Sequence, residues 1–369
     1  MAAEQAIRCL SEDKQCHNTT AMLKSDHMKV IVFAGGQTER EVSLSSANSV
    51  CNALNQLGYE HIVIDPEILL VQHTSMPAAI DYTQNDCSGE GVSTTQHPSQ
   101  TSVINVLHGG WGERASTAHT PGQIAVINVL HGGWGESGGS QNLLAAFSLP
   151  NNCTSASSAR ILMNKAQTML IARNLKISCP PFTILHKQDY LLYSHFPHII
   201  KIIFGAGSSL GTVKINDLSE QLDYLSHWQD NQPRLISKFI NGFEYSCAIL
   251  DGKNLKGCMI EYDYGFCSYQ VKRNVKYANL AHSPEPFHLK QACAQAQKMA
   301  LKLYHYLKCK GLIRFDFMIC YKTFKPYFLE ANPNPGLTDL SIVPDIMAFN
   351  HNCLYVEFIE MLVRNAKVF

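Results

Sequence analysis

The chain lacks any apolar run near the roughly 18 residues that a membrane-spanning helix needs. It lacks an excess of either charge as well. Thirty Lys and Arg offset 30 Asp and Glu, and charged residues make up only 16% of 369 positions. A neutral balance supplies no field to draw a nucleic acid or an anionic membrane, so neither is expected as a partner. The N-terminus lacks the short apolar core of a secretory leader. Among 13 cysteines there is no CxxC pair, and neither the cysteines nor the 16 histidines fall at zinc-ligand spacing. What remains is a cytoplasmic protein with reduced, mostly buried thiols, long enough for two or three domains.

Against these absences the hydrophobic pattern is informative. Residues 1–27 are polar and aperiodic and are expected to form a flexible extension, with Met28 just ahead of the first strong strand. Lys29–Ala34 (KVIVFA) reads as a buried strand, ended by Gly35-Gly36. A helix over Ser45–Leu57 and a strand over His61–Ile64 follow, the order of a parallel α/β unit. Residues 71–102 are rich in Ser, Thr, Gln, Asn and Gly. The decapeptide INVLHGGWGE then occurs twice, at Ile104–Glu113 and Ile127–Glu136. Two copies do not make a solenoid array, and a tandem duplication is the simpler origin. The second copy runs into a turn and a helix-like stretch, so function is assigned to it and the first is taken as insertion.

Further along, Ser158–Asn174 reads as one helix, and Ile199–Ile203 as a strand entering the glycine-rich FGAGSSLG. Arg234–Ile240 and Glu244–Leu250 flank Asn241-Gly242, a turn signal of hairpin type. Leu289–Leu307 is a long amphipathic helix with Leu289, Ala292, Ala296, Met299, Leu303 and Leu307 inward. Gly311–Cys320 and Tyr327–Glu330 read as strands, and Cys353–Val363 as a closing helix.

Four places could carry chemistry. The Gly205–Gly211 loop can turn backbone N–H groups toward phosphate oxygens. It is neither a Walker loop nor a dinucleotide fingerprint, because a strand rather than a helix follows it. Asp316 stands mid-strand among apolar neighbours, and Glu330 ends the next strand. Carboxylates enter such strands only with partners. Antiparallel neighbours can bring Asp316, Glu330 and Asn332 to one point, a hard-oxygen set suited to Mg²⁺. Arg314, two residues from Asp316, shares its face and can hold a phosphate or an oxyanion; a plain structural ion pair is the alternative. The prolines and glycine of NPNPGLTDLS (332–341) can aim the Gly336 N–H at a reacting centre. Glu39, just past Gly35-Gly36, could bind an amine or only start a helix.

The order of these segments is more telling than any one of them. GGQTEREVSL (35–44), LHGGWGESGGSQ (130–141), MNK (163–165), GSSLG (207–211), FINGFE (239–244), RFDF (314–317) and LEANPNPGLTDLSIVP (329–344) together resemble the D-alanine–D-alanine ligase family across residues 28–365. The resemblance implies an α/β (α+β) fold of three-domain ATP-grasp architecture. A Rossmann-like parallel-sheet domain would span 28–153 with an insertion around 71–126, a central subdomain with the glycine-rich lid 154–237, and a C-terminal subdomain 238–369.

It implies roles as well. Lys165, Lys201, Lys238, Glu244 and Lys272 would bind ATP, with the lid residues Gly207, Ser208 and Ser209 closing over its phosphates. Asp316, Glu330 and Asn332 would hold two Mg²⁺ ions, or Mn²⁺. Glu39 would take the amino group of the first D-amino acid and His131 would lie near its carboxylate, with Ser208 nearby. Arg314 and the Gly336 N–H would stabilise the tetrahedral intermediate, and Ser341 and Ile342 would receive the second substrate's carboxylate. The implied reaction joins two D-alanines through an acyl phosphate for peptidoglycan, in a homodimer. The chain departs from the family pattern at several points. Arg273 replaces a tyrosine, Ser237 an adenine-edge carboxylate and Ser137 an aspartate, and the GGQTE turn is one residue short. Lys201 sits one place early, which a bulge could restore. These keep two alternatives open: an ATP-grasp ligase for another amino acid or acid, and a degenerate, non-catalytic ATP-binding homologue.

Overall fold

A computed structural model of the chain describes residues 28–67, 79–80, 124–204, 211–262, 278–281 and 287–368. The described chain falls into two compact units, one of Met1–Gly135, Gly139–Cys153 and Gly336–Phe369, the other of Glu136–Gly138 and Thr154–Pro335. The expectations for residues 1–27, the first INVLHGGWGE copy, the lid at Gly207, Ser208 and Ser209, and Lys272 with Arg273 lie outside the described residues.

The first unit begins with β1 (Lys29–Phe33), α1 (Arg40–Leu57) and β2 (Glu60–Ile64), then the short β3 (Ala79–Ile80) and β4 (Ile124–Asn128). The sheet order is β3-β2-β1-β4. β1 runs parallel to both β2 and β4, and only the edge strand β3 is antiparallel. β4 ends on Ile127 and Asn128, the first two residues of the second decapeptide copy, which is thereby the copy joined to the strand beside β1. Two helices follow, α2 (Gly133–Glu136) and α3 (Gly139–Ala146). Ile31, Phe33, Ile64, Val126, Leu130 and Leu144 form the core on one face of this sheet. Burying such residues is worth about 1.5–3 kcal/mol each, the main return for ordering the strands. α1 starts at Arg40, five residues before the expected Ser45. The polar EREV segment hides the boundary, because its apolar face begins only at Val42.

The second unit opens with α4 (Ala156–Met163) and α5 (Lys165–Asn174). The single helix expected over Ser158–Asn174 is broken at Asn164, which ends one helix and caps the next by accepting from the Gln167 N–H. Asn164 also bridges to Phe204, and the Lys165 N–H donates to Ile203 O at 2.9 Å. The break thus ties Lys165 to the strand that enters the glycine loop.

Next come β5 (Phe182–Leu185), α6 (Lys187–Tyr190), β6 (His198–Ile202), β7 (Thr212–Ile215), α7 (Leu218–His227) and β8 (Arg234–Lys238). Their sheet has the order β5-β8-β6-β7. A second, five-stranded sheet contains β9 (Gly242–Leu250), β10 (Lys253–Tyr262), β11 (Ala278–Ala281), β12 (Leu312–Cys320) and β13 (Pro326–Asn332), in the order β11-β10-β9-β12-β13. Helix α8 (Phe287–Tyr306) packs on it through Leu289, Ala292, Ala296, Ala300 and Leu303, close to the expected face, with Met299 only partly buried.

The hairpin expected at Asn241-Gly242 does not form. β8 and β9 lie in different sheets, and the true hairpin turn is Asp251-Gly252, both at positive φ (49° and 79°), the backbone that a tight two-residue turn requires. Gly242 serves another purpose: a Cβ there would collide with the backbone of Ile319, so glycine permits the close approach of β12. The chain then returns to the first unit with α9 (Ile342–His351), a helix not expected from the sequence, and α10 (Tyr355–Arg364), which packs on α1.

The described cysteines are free thiols, six of them buried outright, and burial pushes Cys51, Cys153 and Cys309 up to about 12. No helix among the described residues is long and apolar enough to cross a membrane.

His198 is fully buried beside the small core of Tyr190, Ile200, Trp228 and Ile236. Its Nδ1 is 2.9 Å from His195 O, which can only accept, so Nδ1 carries the proton and Nε2 accepts from Tyr190 OH at 2.6 Å. Burial lowers its pKa from the ordinary value, against the opposing His195 carbonyl. The unfolded chain therefore takes up a proton near pH 6.5 that the folded chain refuses, and stability is full above that pH and falls below it. Urea midpoints measured between pH 7.5 and 5.5 should decline in the native protein and show a flatter slope in His198→Gln. An equal slope in both would show that this histidine does not titrate with folding.

Candidate active site

In the second unit the antiparallel β12 and β13 pair Asp316 with Glu330 and Arg314 with Asn332. A register shift follows Asp316, so the polar pair stands at the bulge while Phe317 returns to the core opposite Phe328. The buried Asp316 is held on two sides. Arg314 donates from Nε and Nη2 at 2.9 Å each, a bidentate pair, and Ser246 Oγ on β9 donates at 2.6 Å. Burial opposes the charge on Arg314, but Asp316 outweighs it, with help from Glu330 and Glu244, and the guanidinium's pKa lies above its ordinary value. The ion-pair alternative for Arg314 therefore holds, and the guanidinium stands among the carboxylates.

Lys201 on β6 reaches Glu330 Oε2 at 3.1 Å. The bulge proposed to restore its place is absent, since β6 pairs continuously with β7 and β8 through Lys201. The lysine joins the carboxylate cluster without it. Asn332 Oδ1 accepts from the Asn334 N–H at 2.8 Å, which fixes the amide. Glu244 is half-buried on β9, Lys238 is exposed at the end of β8, and Ser237 is buried. Lys165, at the start of α5, is buried. Among the described residues no three His, Cys, Asp or Glu gather as a metal site. Two carboxylates and an amide oxygen, each held by a neighbour's hydrogen bond, nevertheless match the donor type of a Mg²⁺ site that also uses substrate phosphates.

In the first unit the relevant residues lie past the carboxyl ends of the parallel strands, where strand order diverges on either side of β1. Glu39 caps α1 in left-handed backbone (φ 50°, ψ 36°), unusual for a residue with a Cβ. Its Oε2 lies 3.5 Å from where a Cβ on Gly132 would stand, and Thr38 fills the space beside Gly132 itself. His131 is buried, its Nε2 3.3 Å from Ser46 Oγ on α1. A Cβ on Gly336 would lie 3.8 Å from the His131 ring and 2.9 Å from Ser341 Oγ. Ser341 Oγ accepts from the Thr338 N–H at 3.0 Å, and Tyr355 OH donates to Leu337 O at 2.7 Å, so α10 pins the glycine turn. Ile342 opens α9 directly after Ser341. Glu39, His131, Gly336 and Ser341 are thus brought to one region of this unit.

The family model described as D-ala D-ala ligase N-terminus matches residues 29–153, and that described as D-ala D-ala ligase C-terminus matches 172–364. The chain belongs to the D-alanine–D-alanine ligase family. A D-alanine–D-alanine ligase of Rhodospirillum rubrum is 27% identical over 352 residues, covering 92% of this chain and 98% of the relative. The crystal structure of a D-alanine–D-alanine ligase from Bacillus anthracis complexed with ATP superposes with a TM-score of 0.64 at 24% identity, over 92% of this chain and 97% of that one. The VanG D-Ala:D-Ser ligase of Enterococcus faecalis gives 0.65 at 22%, over 92% and 99%. Both structures share the ATP-grasp fold of this ligase-family chain.

The sequence pointed to the charged residues of the site but not to the groups that hold them. Ser246, Ser46, Thr338 and Tyr355 were missed. Only the two serines had a readable signal, each being a small polar residue at an inward position. Ser246→Ala removes a hydrogen bond to a buried charge and should cost about 1.5–3 kcal/mol in denaturant unfolding. A change near zero would show that Arg314 alone satisfies Asp316.

Proposed function

We propose that the chain is an ATP-dependent ligase that joins two D-alanines and supplies a peptidoglycan precursor. The observation that carries this is the buried Arg314–Asp316 pair set in register with Glu330 and Asn332, in a chain whose two halves both match the ligase family. The other readings, a ligase for a different acid or a non-catalytic homologue, are not favoured.

A carboxylate is a poor acyl donor at neutral pH. Its oxygen attacks the γ-phosphorus of ATP, the bond to ADP breaks, and an acyl phosphate forms. The amine of the second D-alanine then attacks the acyl carbon, a proton is lost, and inorganic phosphate leaves. Lys165, Lys201, Lys238 and Glu244 would bind ATP, joined by Gly207, Ser208, Ser209 and Lys272. Asp316, Glu330 and Asn332 would hold Mg²⁺, two ions, or Mn²⁺. When bound, the ion offsets phosphate charge and makes phosphorus a better electrophile. For that, Lys201 and Arg314 must share their carboxylates, and both cations can turn to phosphate or oxyanion oxygens instead.

Glu39 would take the ammonium group of the first D-alanine and His131 its carboxylate. The Gly336 N–H and Arg314 would each donate to the oxyanion of the tetrahedral intermediate, which favours the transition state over the substrate. Ser341 and Ile342 would receive the second carboxylate at the start of α9, where the helix dipole also favours an anion. The proposal includes a cytoplasmic homodimer and the domain boundaries 28–153, 154–237 and 238–369. The change of sheet between β8 and β9 supports the last of these boundaries.

Phosphate release from ATP should depend on D-alanine and be negligible with L-alanine. Glu330→Gln should lower it about tenfold or more, since even groups one shell away from a metal are worth about 10–100-fold. D-alanine-independent release, or equal rates with both enantiomers, would overturn the reading.

A further inference from the structure

Asp65 lies at the end of β2, nearly inaccessible to solvent, and no role has yet been given to it. A buried carboxylate needs several donors, and Asp65 has them. Oδ2 accepts from the Gly36 N–H at 3.1 Å and from Arg40 Nη1 in a short contact, and Oδ1 accepts from the Glu67 N–H at 3.2 Å. Arg40 Nη1 donates in addition to Gly36 O at 3.3 Å. Gly36 is therefore gripped on both sides, its N–H by Asp65 and its carbonyl by Arg40. Next to it the Gln37 N–H donates to Glu67 Oε2 at 2.7 Å.

Between that grip and the start of α1 only Gln37, Thr38 and Glu39 remain. Gly36 sits at φ 77° and Glu39 at φ 50°. A left-handed residue with a side chain persists only where its surroundings determine it. Here both ends of the short loop are fixed by the same ion pair, because Arg40 is at once the residue after Glu39 and the partner of Asp65. Ser43 on α1 adds a third tie, accepting from the Gly35 N–H at 3.0 Å and donating to Val129 O at 2.8 Å.

We infer that Asp65 is a positioning residue for the first-substrate site: through Arg40 and Gly36 it holds Glu39 in the left-handed conformation that aims its carboxylate at the Gly132 turn. This rests on the proposed role of Glu39 as the binder of the substrate ammonium. Asp65 itself touches no substrate.

The test has two arms on the full chain, each with Asp65→Asn, Arg40→Gln and the double variant. Amide hydrogen exchange reads the clamp without any substrate. Residues 36–39 should exchange at least tenfold faster in Asp65→Asn, with β1 and β4 unchanged. Steady-state kinetics read its consequence. The D-alanine KM of the first site should rise about tenfold or more while the ATP KM stays within twofold, and the double variant should be no worse than the worse single one, because the pair acts as a unit. Undiminished protection at 36–39 would overturn the inference, as would D-alanine and ATP constants moving together. Should the native protein show no D-alanine-dependent turnover, the functional reading fails, and exchange alone decides whether Asp65 clamps the loop.

Discussion

A carboxylate in the middle of an apolar strand survives folding only where donors meet it, and at Asp316 they come from its own strand and from the next. Arg314 reaches it along β12 and Ser246 across from β9. Pulling two opposite charges out of water costs several kcal/mol each, and breaking such a pair by removing one partner costs about 3–5 kcal/mol. The β12–β13 register is therefore not free to slip. A shift of one residue would turn Asp316 into the core that Phe315 and Phe317 occupy. Because the register is fixed, Glu330 and Asn332 are fixed with it, and Lys201 follows as the cation on Glu330. The same pairing that stabilises the sheet thereby assembles an oxygen-donor set with two cations beside it.

The first unit solves a different problem with the same means. Parallel strands leave loops at their carboxyl ends, and loops hold functional groups only as firmly as their backbone is tied. Here the ties come from small buried polar groups on one helix and one strand end: Ser43 and Ser46 of α1, and Asp65 after β2. Glycines at 132 and 133 let Thr38 approach the turn after His131 more closely than any Cβ would permit. The strained backbone at Glu39 is the visible cost of this arrangement, of order 1–3 kcal/mol, and the Asp65–Arg40 grip is what maintains it.

Much of this was legible in the sequence. The apolar runs marked β1, β2, β6, β8, β9, β12 and β13 but left β3, β4, β5, β10 and β11 unread. Asp316 and Glu330 stood out because charge does not belong in such strands unless something meets it. The order of motifs gave the family, and with it the residues around Glu39, His131 and Gly336. What was not legible has a common cause. Asn241-Gly242 and Asp251-Gly252 are equally good turn signals locally, and only the pairing of β9 with β10 and β12 decides between them. Asn164 looks helical until Phe204 pairs with its backbone. Ser246 meets Asp316 across 70 residues and Gly36 meets Asp65 across 29, and no local pattern encodes contacts of that range. Lys201 shows the converse: no bulge shifts it, yet its side chain reaches Glu330.

The central claim is that the β12–β13 register builds a divalent-cation cradle. Crystals grown with ADP and Mn²⁺ test it most directly through the anomalous signal of manganese. The account predicts manganese at coordinating distance from the carboxylates of Asp316 and Glu330 and the amide oxygen of Asn332. Manganese bound elsewhere, with Arg314 and Lys201 still closed on those carboxylates, would contradict it.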